Sequence, residues 1–265
     1  MTVELGIIHL MALETAPVPF IEIAAQAGAG AVSLFVNRMG PDSNFPVVTR
    51  EDSRAVQQAL RDHGLRVGNV DPFVLSPTTE VSQFQSALEL AGELGAQGIT
   101  VLLFDKDEAR VVDHLGQLCE AARPYGLTAG IEFMGLTPGW NSLADTVALI
   151  EQVDRPNLGV VLDVLHLVRT GGTVAQVAAL DPSHISHVQL CDGAHLDVTR
   201  DYAVEAASDR AAPGDGVFPL VEFLQALPAG VRMELEVPQP GPRPALERIT
   251  DTVTKARTVL DAAGF

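Results

Sequence analysis

The sequence predicts a single (β/α)8 TIM barrel covering residues 1–265, and three observations carry that prediction. Short apolar runs alternate with helical patterns until eight strands are accounted for. The length, 265 residues, matches the roughly 250 usual for such barrels. No shift in composition, low-complexity stretch or repeat beyond the alternation itself divides the chain.

The elements follow in order. Glu4–His9 reads as the first strand, and an apolar helical pattern through Phe20, Ile21, Ile23 and Ala24 stops at Gly28 and Gly30. Strand two is AVSLFV, residues 31–36. A loop rich in Gly, Pro and Asn then leads to a helix from about Arg50 to His63, closed by Gly64. LRVGNV, residues 65–70, makes strand three, and the turn-rich DPFVLSPTT, residues 71–79, reads as a loop before a helix over residues 81–95. Strand four is residues 98–104, followed by a helix from about Glu108 to Ala122, a stop at Gly126 and strand five at residues 127–133. NLGVVLDVLH, residues 157–166, holds strand six; its apolar half suits a parallel strand buried on both faces. A helix near 173–180 precedes strand seven, residues 184–190. An irregular excursion over 191–216 and a helix near 218–227 then lead to strand eight, residues 231–237, and a last helix at about 245–262 closes the ring.

Charge narrows the partners. With 17 Lys and Arg against 34 Asp and Glu, the formal charge is −17. Nucleic-acid binding needs clustered basic residues that this chain lacks, so small-molecule chemistry is expected. Cys119 and Cys191 lie far apart without CxxC spacing, which predicts reduced thiols. The opening MTVELGIIHL has no basic region before its apolar run, and no stretch is long enough for a membrane span, so a soluble cytoplasmic protein is expected.

Four successive strands end in a side chain with oxygen to give: Glu132, Asp163, Gln189 and Glu236. On the C-terminal rim of a barrel, strand ends supply catalytic groups. Taken alone, Asp163 serves equally well as a helix N-cap or a ligand; the other three strand ends favour the ligand. Acidic groups at the end of apolar strands require a cation or an ion pair. Basic residues are scarce there, since Arg232 starts strand eight at the opposite rim and Arg169 and Arg210 read as loop residues. One divalent metal balances the charges most economically, and an oxygen-only set suits Mn²⁺ first, then Mg²⁺ or Co²⁺, better than Zn²⁺. Residues two apart on a strand share a face, so His187 accompanies Gln189 and Glu234 accompanies Glu236. The member nearer the rim is chosen in each pair, leaving His187 and Glu234 in the layer below.

These motifs resemble the xylose-isomerase-like barrel superfamily of sugar isomerases and epimerases. The pieces carrying the likeness are GIEF, LDVLH, HVQLCDG, RAAPGDGVF and LEVP. The resemblance implies one divalent metal held by Glu132, Asp163, Gln189 and Glu236, with His166 and Arg210 contacting substrate. Gln189 stands where His is common in the family and is similar to the hydroxypyruvate-isomerase-like branch. The loop FMGLTPGWN lacks the second Glu of ketose 3-epimerases, and the early strands lack the His residues of the three-zinc abasic-site endonucleases. Related barrels pair, so a homo-oligomer is allowed, although no residue pattern marks an interface.

Such a site would act on a small sugar, keto-sugar or hydroxy-ketone through an enediolate, with Glu132 and Glu236 as the acid/base pair. Returning the proton to the neighbouring carbon is isomerisation and to the opposite face epimerisation; loss of a β-hydroxyl makes the enzyme a lyase of inosose-dehydratase type, and cleavage of a keto-sugar conjugate is a further lyase reading. A barrel that keeps the fold without the chemistry is the competing class. Trp140, in the loop after strand five, is placed either to cover a sugar ring or to pack, and Asp192 either orients ligands or fixes a turn.

Overall fold

The computed structural model describes residues 3–40, 43–197 and 201–265. Eight parallel strands close a barrel in chain order, β8 pairing with β1. They are β1 (Leu5–Ile8), β2 (Ala31–Phe35), β3 (Arg66–Leu75), β4 (Gly98–Leu103), β5 (Thr128–Glu132), β6 (Leu158–Asp163), β7 (Ile185–Leu190) and β8 (Met233–Leu235). Around them lie α1 (Pro17–Gln26), α2 (Ser53–His63), α3 (Gln85–Glu93), α4 (Glu108–Ala122), α5 (Leu143–Val153), α6 (Val164–Arg169), α7 (Val174–Ala178), α8 (Tyr202–Ser208), α9 (Leu220–Gln225) and α10 (Ala245–Ala263). The apolar runs are buried throughout in β1, β2, β4 and β6, as helices packed over a parallel barrel require.

Local chemistry sets the helix ends. Asp107 and Ser142 accept from backbone amides at the starts of α4 and α5, and Thr173 forms a reciprocal capping box with Gln176 at α7. Gly64 ends α2 in the left-handed conformation, φ 66°, which a side chain would resist.

The fold departs from the expected elements in three places. β3 runs on to Leu75, so the stretch expected as a loop from Asp71 is strand for half its length. Pro72 is accommodated where the β3–β4 register shifts between Val70 and Phe73. Helix α5 fills the stretch between strands five and six for which no helix was expected, and α8 lies inside the expected irregular excursion. Residues 198–200 of that excursion lie outside the described residues. Both cysteines are buried and unpaired, as expected. No helix among the described residues is long and apolar enough to cross a membrane.

The rim opposite the strand ends is also polar. Arg232 donates to the carbonyls of Gly68 (2.7 Å) and Ser186 (3.2 Å) and lines a cavity of about 360 Å³ that reaches Asn69, His187 and Glu234. The two ends of the barrel are therefore built differently, and the strand-end carboxylates face the other mouth.

One buried carboxylate organises the connection from β7 to β8. Asp192 accepts from the amides of Gly193 (2.8 Å) and Phe218 (3.0 Å) on Oδ1, and of Gly214 and Gly216 (both 3.0 Å) on Oδ2. Its own backbone pairs with Ala211 in both directions. A Cβ on Gly216 would stand 2.3 Å from Asp192 Oδ1, so this knot admits only glycine there. Turn fixation is thus its structural role, and the turn delivers Arg210. Asp192→Ala would leave four amides without their acceptor, and we expect urea denaturation to show a loss of about 3 kcal/mol.

His9, buried at the end of β1, supplies a pH dependence. Its Nε2 bonds the Thr15 carbonyl (2.9 Å) and its ring stacks on Phe20, with centroids 4.1 Å apart. Burial lowers its pKa to about 4, against a smaller opposing pull from the Thr15 carbonyl. The unfolded chain therefore binds this proton first, at about pH 6.5. Stability from neutral His9 is complete above that value and is lost as pH falls toward about 4. Urea titrations at about pH 7.5 and 4.5 should differ by on the order of 2 kcal/mol more in the wild type than in His9→Gln.

Candidate active site

Glu132 and Asp163 are the last residues of β5 and β6, Gln189 is one residue from the end of β7, and Glu236 follows β8 directly. In the strand register Asp163 faces Gln189, which in turn faces Glu234. All four side chains expected at the rim are buried. Asp163 fills the capping role considered for it: its Oδ1 accepts from the His166 amide (3.0 Å) at the start of α6, while its Oδ2 meets Arg210.

Arg210 lies among these groups, not out in a loop. Its Nη1 is 2.5 Å from Asp163 Oδ2 and its Nη2 2.7 Å from Glu236 Oε1, while Nε donates to the Ala206 carbonyl (3.0 Å). Gln239 Nε2 holds the Arg210 carbonyl at 2.7 Å. This corrects the expectation that Arg210 lies in a loop away from a rim where basic residues are scarce: its guanidinium bridges two of the carboxylates. Arg169, also expected in a loop, ends α6 and is buried, paired in bidentate fashion with Glu205 (both contacts 2.6 Å). That pair ties α8 to α6.

The charge count stays unbalanced. Asp163 and Glu236 share one guanidinium, and Glu132 adds a third carboxyl beside the His166 ring. Burial would raise the Asp163 carboxyl, but the Arg210 guanidinium, by charge and hydrogen bond, together with the His166 backbone amide, holds it below the usual range. For Glu236 burial prevails over Arg210, and Glu132 and Asp163 add to it, so its carboxyl lies well above the usual range. Two buried oxygens at the rim, Gln189 Oε1 and Glu236 Oε2, have no hydrogen-bond partner. Such atoms are costly unless something meets them. The donors are hard oxygens, the excess charge is negative, and the residues fit a divalent cation. Glu132, Asp163 and His166 each offer an atom within 4.8 Å of the others.

In the layer below, both Glu234 oxygens are met by protein, while Asn69 Oδ1 and Asp71 Oδ2 have no hydrogen-bond partner. Glu234 accepts from Ser33 and from Gln189 Nε2 (3.0 Å), and His187 Nε2 stands 3.5 Å from it. Asn69 Nδ2 contacts His187 Nε2 at 3.2 Å and also Thr100. Burial would raise the Glu234 carboxyl, yet His187, Ser33 and Gln189 together hold it below the usual range.

The structure brings His166 to the cluster, with Nε2 3.4 Å from Glu132 Oε1. Trp140 is half-buried against the hydrophobic core with φ 48°, and no hydrogen bond or ring contact joins it to the carboxylates among the described residues. Tyr202, not singled out from the sequence, does arrive: its Oη is 2.6 Å from His166 Nδ1. A tyrosine within a polar excursion carries no periodic signal, so only the folded contact reveals it.

Comparison with known proteins agrees with this architecture. The chain is 28% identical to the 3-dehydroshikimate dehydratase of Pseudomonas putida over 243 residues, 86% of this chain and 37% of the relative. It is 27% identical to the inosose isomerase of Halalkalibacterium halodurans over 158 residues, 56% of this chain and 54% of the relative. The matched part is therefore about half the length of these relatives or less. Among solved structures, the IOLI protein with a bound zinc atom superposes with a TM-score of 0.80 at 18% identity, covering 99% of this chain and 98% of the other, a likeness of fold. The model of the xylose isomerase-like TIM barrel family matches residues 21–256, and the chain belongs to that family.

Proposed function

We propose that this barrel is a divalent-metal-dependent isomerase or epimerase of a small sugar, keto-sugar or hydroxy-ketone. The observation that carries the reading is the pair of buried, unpartnered oxygens on Gln189 and Glu236, beside carboxylates whose charge Arg210 only partly offsets. Glu132, Asp163, Gln189 and Glu236 would hold the ion. Mn²⁺ is the first choice by donor type, with Mg²⁺ or Co²⁺ next. The bound ion would supply Lewis-acid polarisation of the substrate's carbonyl and hydroxyl oxygens.

The chain's own residues account for the proton. Glu132 and Glu236 stand on strands five and eight of a closed ring, so they approach a substrate in the mouth from different sides. Two carboxyl groups in opposite protonation states suit opposite halves of a proton transfer through an enediolate. Arg210 keeps Asp163 and Glu236 at fixed separation and is itself anchored through the Asp192 turn. His166 offers a ring nitrogen to a substrate oxygen.

A second reading, a metal-dependent dehydratase, is favoured by one finding. The 3-dehydroshikimate dehydratases of two Pseudomonas species match 243 residues of this chain, whereas the inosose isomerases match 158. Loss of a β-hydroxyl from the same enediolate would use the same acid and base. Isothermal titration of the protein with Mn²⁺ should show one site, weakened at least tenfold in Glu236→Gln. Solvent deuterium entering an inosose would support isomerase or epimerase chemistry; aromatic absorbance appearing from 3-dehydroshikimate would support the dehydratase. Glu132→Gln should lower whichever turnover is found by about 10²- to 10⁴-fold with the circular dichroism spectrum unchanged. Full activity in that variant would remove Glu132 from the mechanism, and absence of any Mn²⁺ site would remove the metal.

A further inference from the structure

Tyr202 opens α8, in the connection between β7 and β8, and reaches back to the end of β6. Its ring lies edge-on to His166, with centroids 5.7 Å apart and planes at 68°. Two groups meet its oxygen: His166 Nδ1 at 2.6 Å and the Gly135 amide nitrogen at 3.3 Å. Gly135 leaves room for the approach, since a Cβ there would stand 3.0 Å from Tyr202 Cε1.

Proton counting settles the direction of each bond. A backbone amide only donates, so the phenol oxygen accepts from Gly135. The phenol proton then needs an acceptor, and the contact that offers one is the His166 Nδ1 lone pair. In the reverse arrangement, with the proton on Nδ1, the phenol oxygen would accept from two donors and its own proton would have no acceptor among the described residues. We infer that Tyr202 is a positioning residue that fixes neutral His166 as its Nε2–H tautomer. The ring therefore presents a hydrogen-bond donor to the rim, and not a lone pair for a metal.

Two consequences follow. Although His166 lies within ligand range of Glu132 and Asp163, it drops out of the donor set, which leaves the oxygens of Glu132, Asp163, Gln189 and Glu236. The Nε2–H is available to a substrate oxygen, a use that rests on the function proposed above, whereas the tautomer does not. Burial also raises the Tyr202 phenol, keeping its proton in place for this task.

The test is long-range ¹H–¹⁵N spectroscopy of the full chain labelled at histidine nitrogen, at about pH 8, above the ordinary imidazole range. His166→Gln identifies the His166 signals by their disappearance. The expected wild-type pattern is a protonated Nε2 with an unprotonated Nδ1, unchanged by Mg²⁺. In Tyr202→Phe, the ratio of Nε2–H to Nδ1–H should fall at least fivefold. A wild-type ring carrying its proton on Nδ1, loss of the Nε2–H signal on adding Mg²⁺, or an unchanged ratio in Tyr202→Phe would each overturn the inference. The wild-type spectrum decides by itself if Tyr202→Phe does not fold. If Mg²⁺ shifts no resonance at the rim while Nε2–H is seen, the tautomer stands and the metal reading falls.

Discussion

A carboxylate among apolar strands is stable only where a cation or several donors meet it, and the upper rim of this barrel holds two such groups on one arginine and a third beside a histidine ring. Much of the surrounding architecture serves that constraint. Arg210 is delivered by the turn that Asp192 ties through four backbone amides. The helix preceding it, α8, is pinned to α6 by the buried Arg169–Glu205 pair, and Arg169 also holds the His195 carbonyl at 2.9 Å. Asp163, the residue Arg210 must find, is in turn the cap of α6. The connection between β7 and β8 is therefore part of the site: it carries the guanidinium and the phenol that the strand ends do not supply.

How far this was legible in the sequence depends on the range of the interaction concerned. The eight strands could be read because burial on both faces leaves continuous apolar runs, and the rim because strand parity separates Gln189 from Val188 and Glu236 from Leu235. The extension of β3 was hidden by Pro72, which argues for a turn until a register shift gives it a place. Helix α5 did leave a signal. Ser142 followed by Asp145 marks a start, and Leu143, Thr146, Leu149, Ile150 and Val153 are its buried face; the Gly and Pro just before it drew attention to the loop. The bridging role of Arg210 had no local mark. Asp163 lies 47 residues earlier and Glu236 lies 26 later, and nothing in RAAPGDG states which carboxylates it will meet.

Two glutamates on one strand face show how neighbouring donors set the direction in which a buried carboxyl shifts. Glu234 and Glu236 are two residues apart, both buried, and each close to a cationic or ionisable partner. Glu234 is met on both oxygens by Ser33, Gln189 and His187, and these partners draw its carboxyl below the ordinary range. Glu236 is met on one oxygen, and burial together with the neighbouring carboxylates pushes it the other way. The same side chain is drawn down in one layer and pushed up, with one oxygen unmet, in the next, so the difference lies in the number of donors the fold supplies.

Gln189 links the two layers. Its Nε2 is spent on Glu234 below, which orients the amide and turns Oε1 toward the rim, where no protein donor meets it. A histidine in its place would bring a softer nitrogen donor and a ring that must also dispose of a proton. The amide brings a neutral oxygen whose direction is set by the saturated glutamate beneath. The lower layer thus acts on the upper one mechanically: by consuming the amide nitrogen it decides which atom of Gln189 is left to face the mouth.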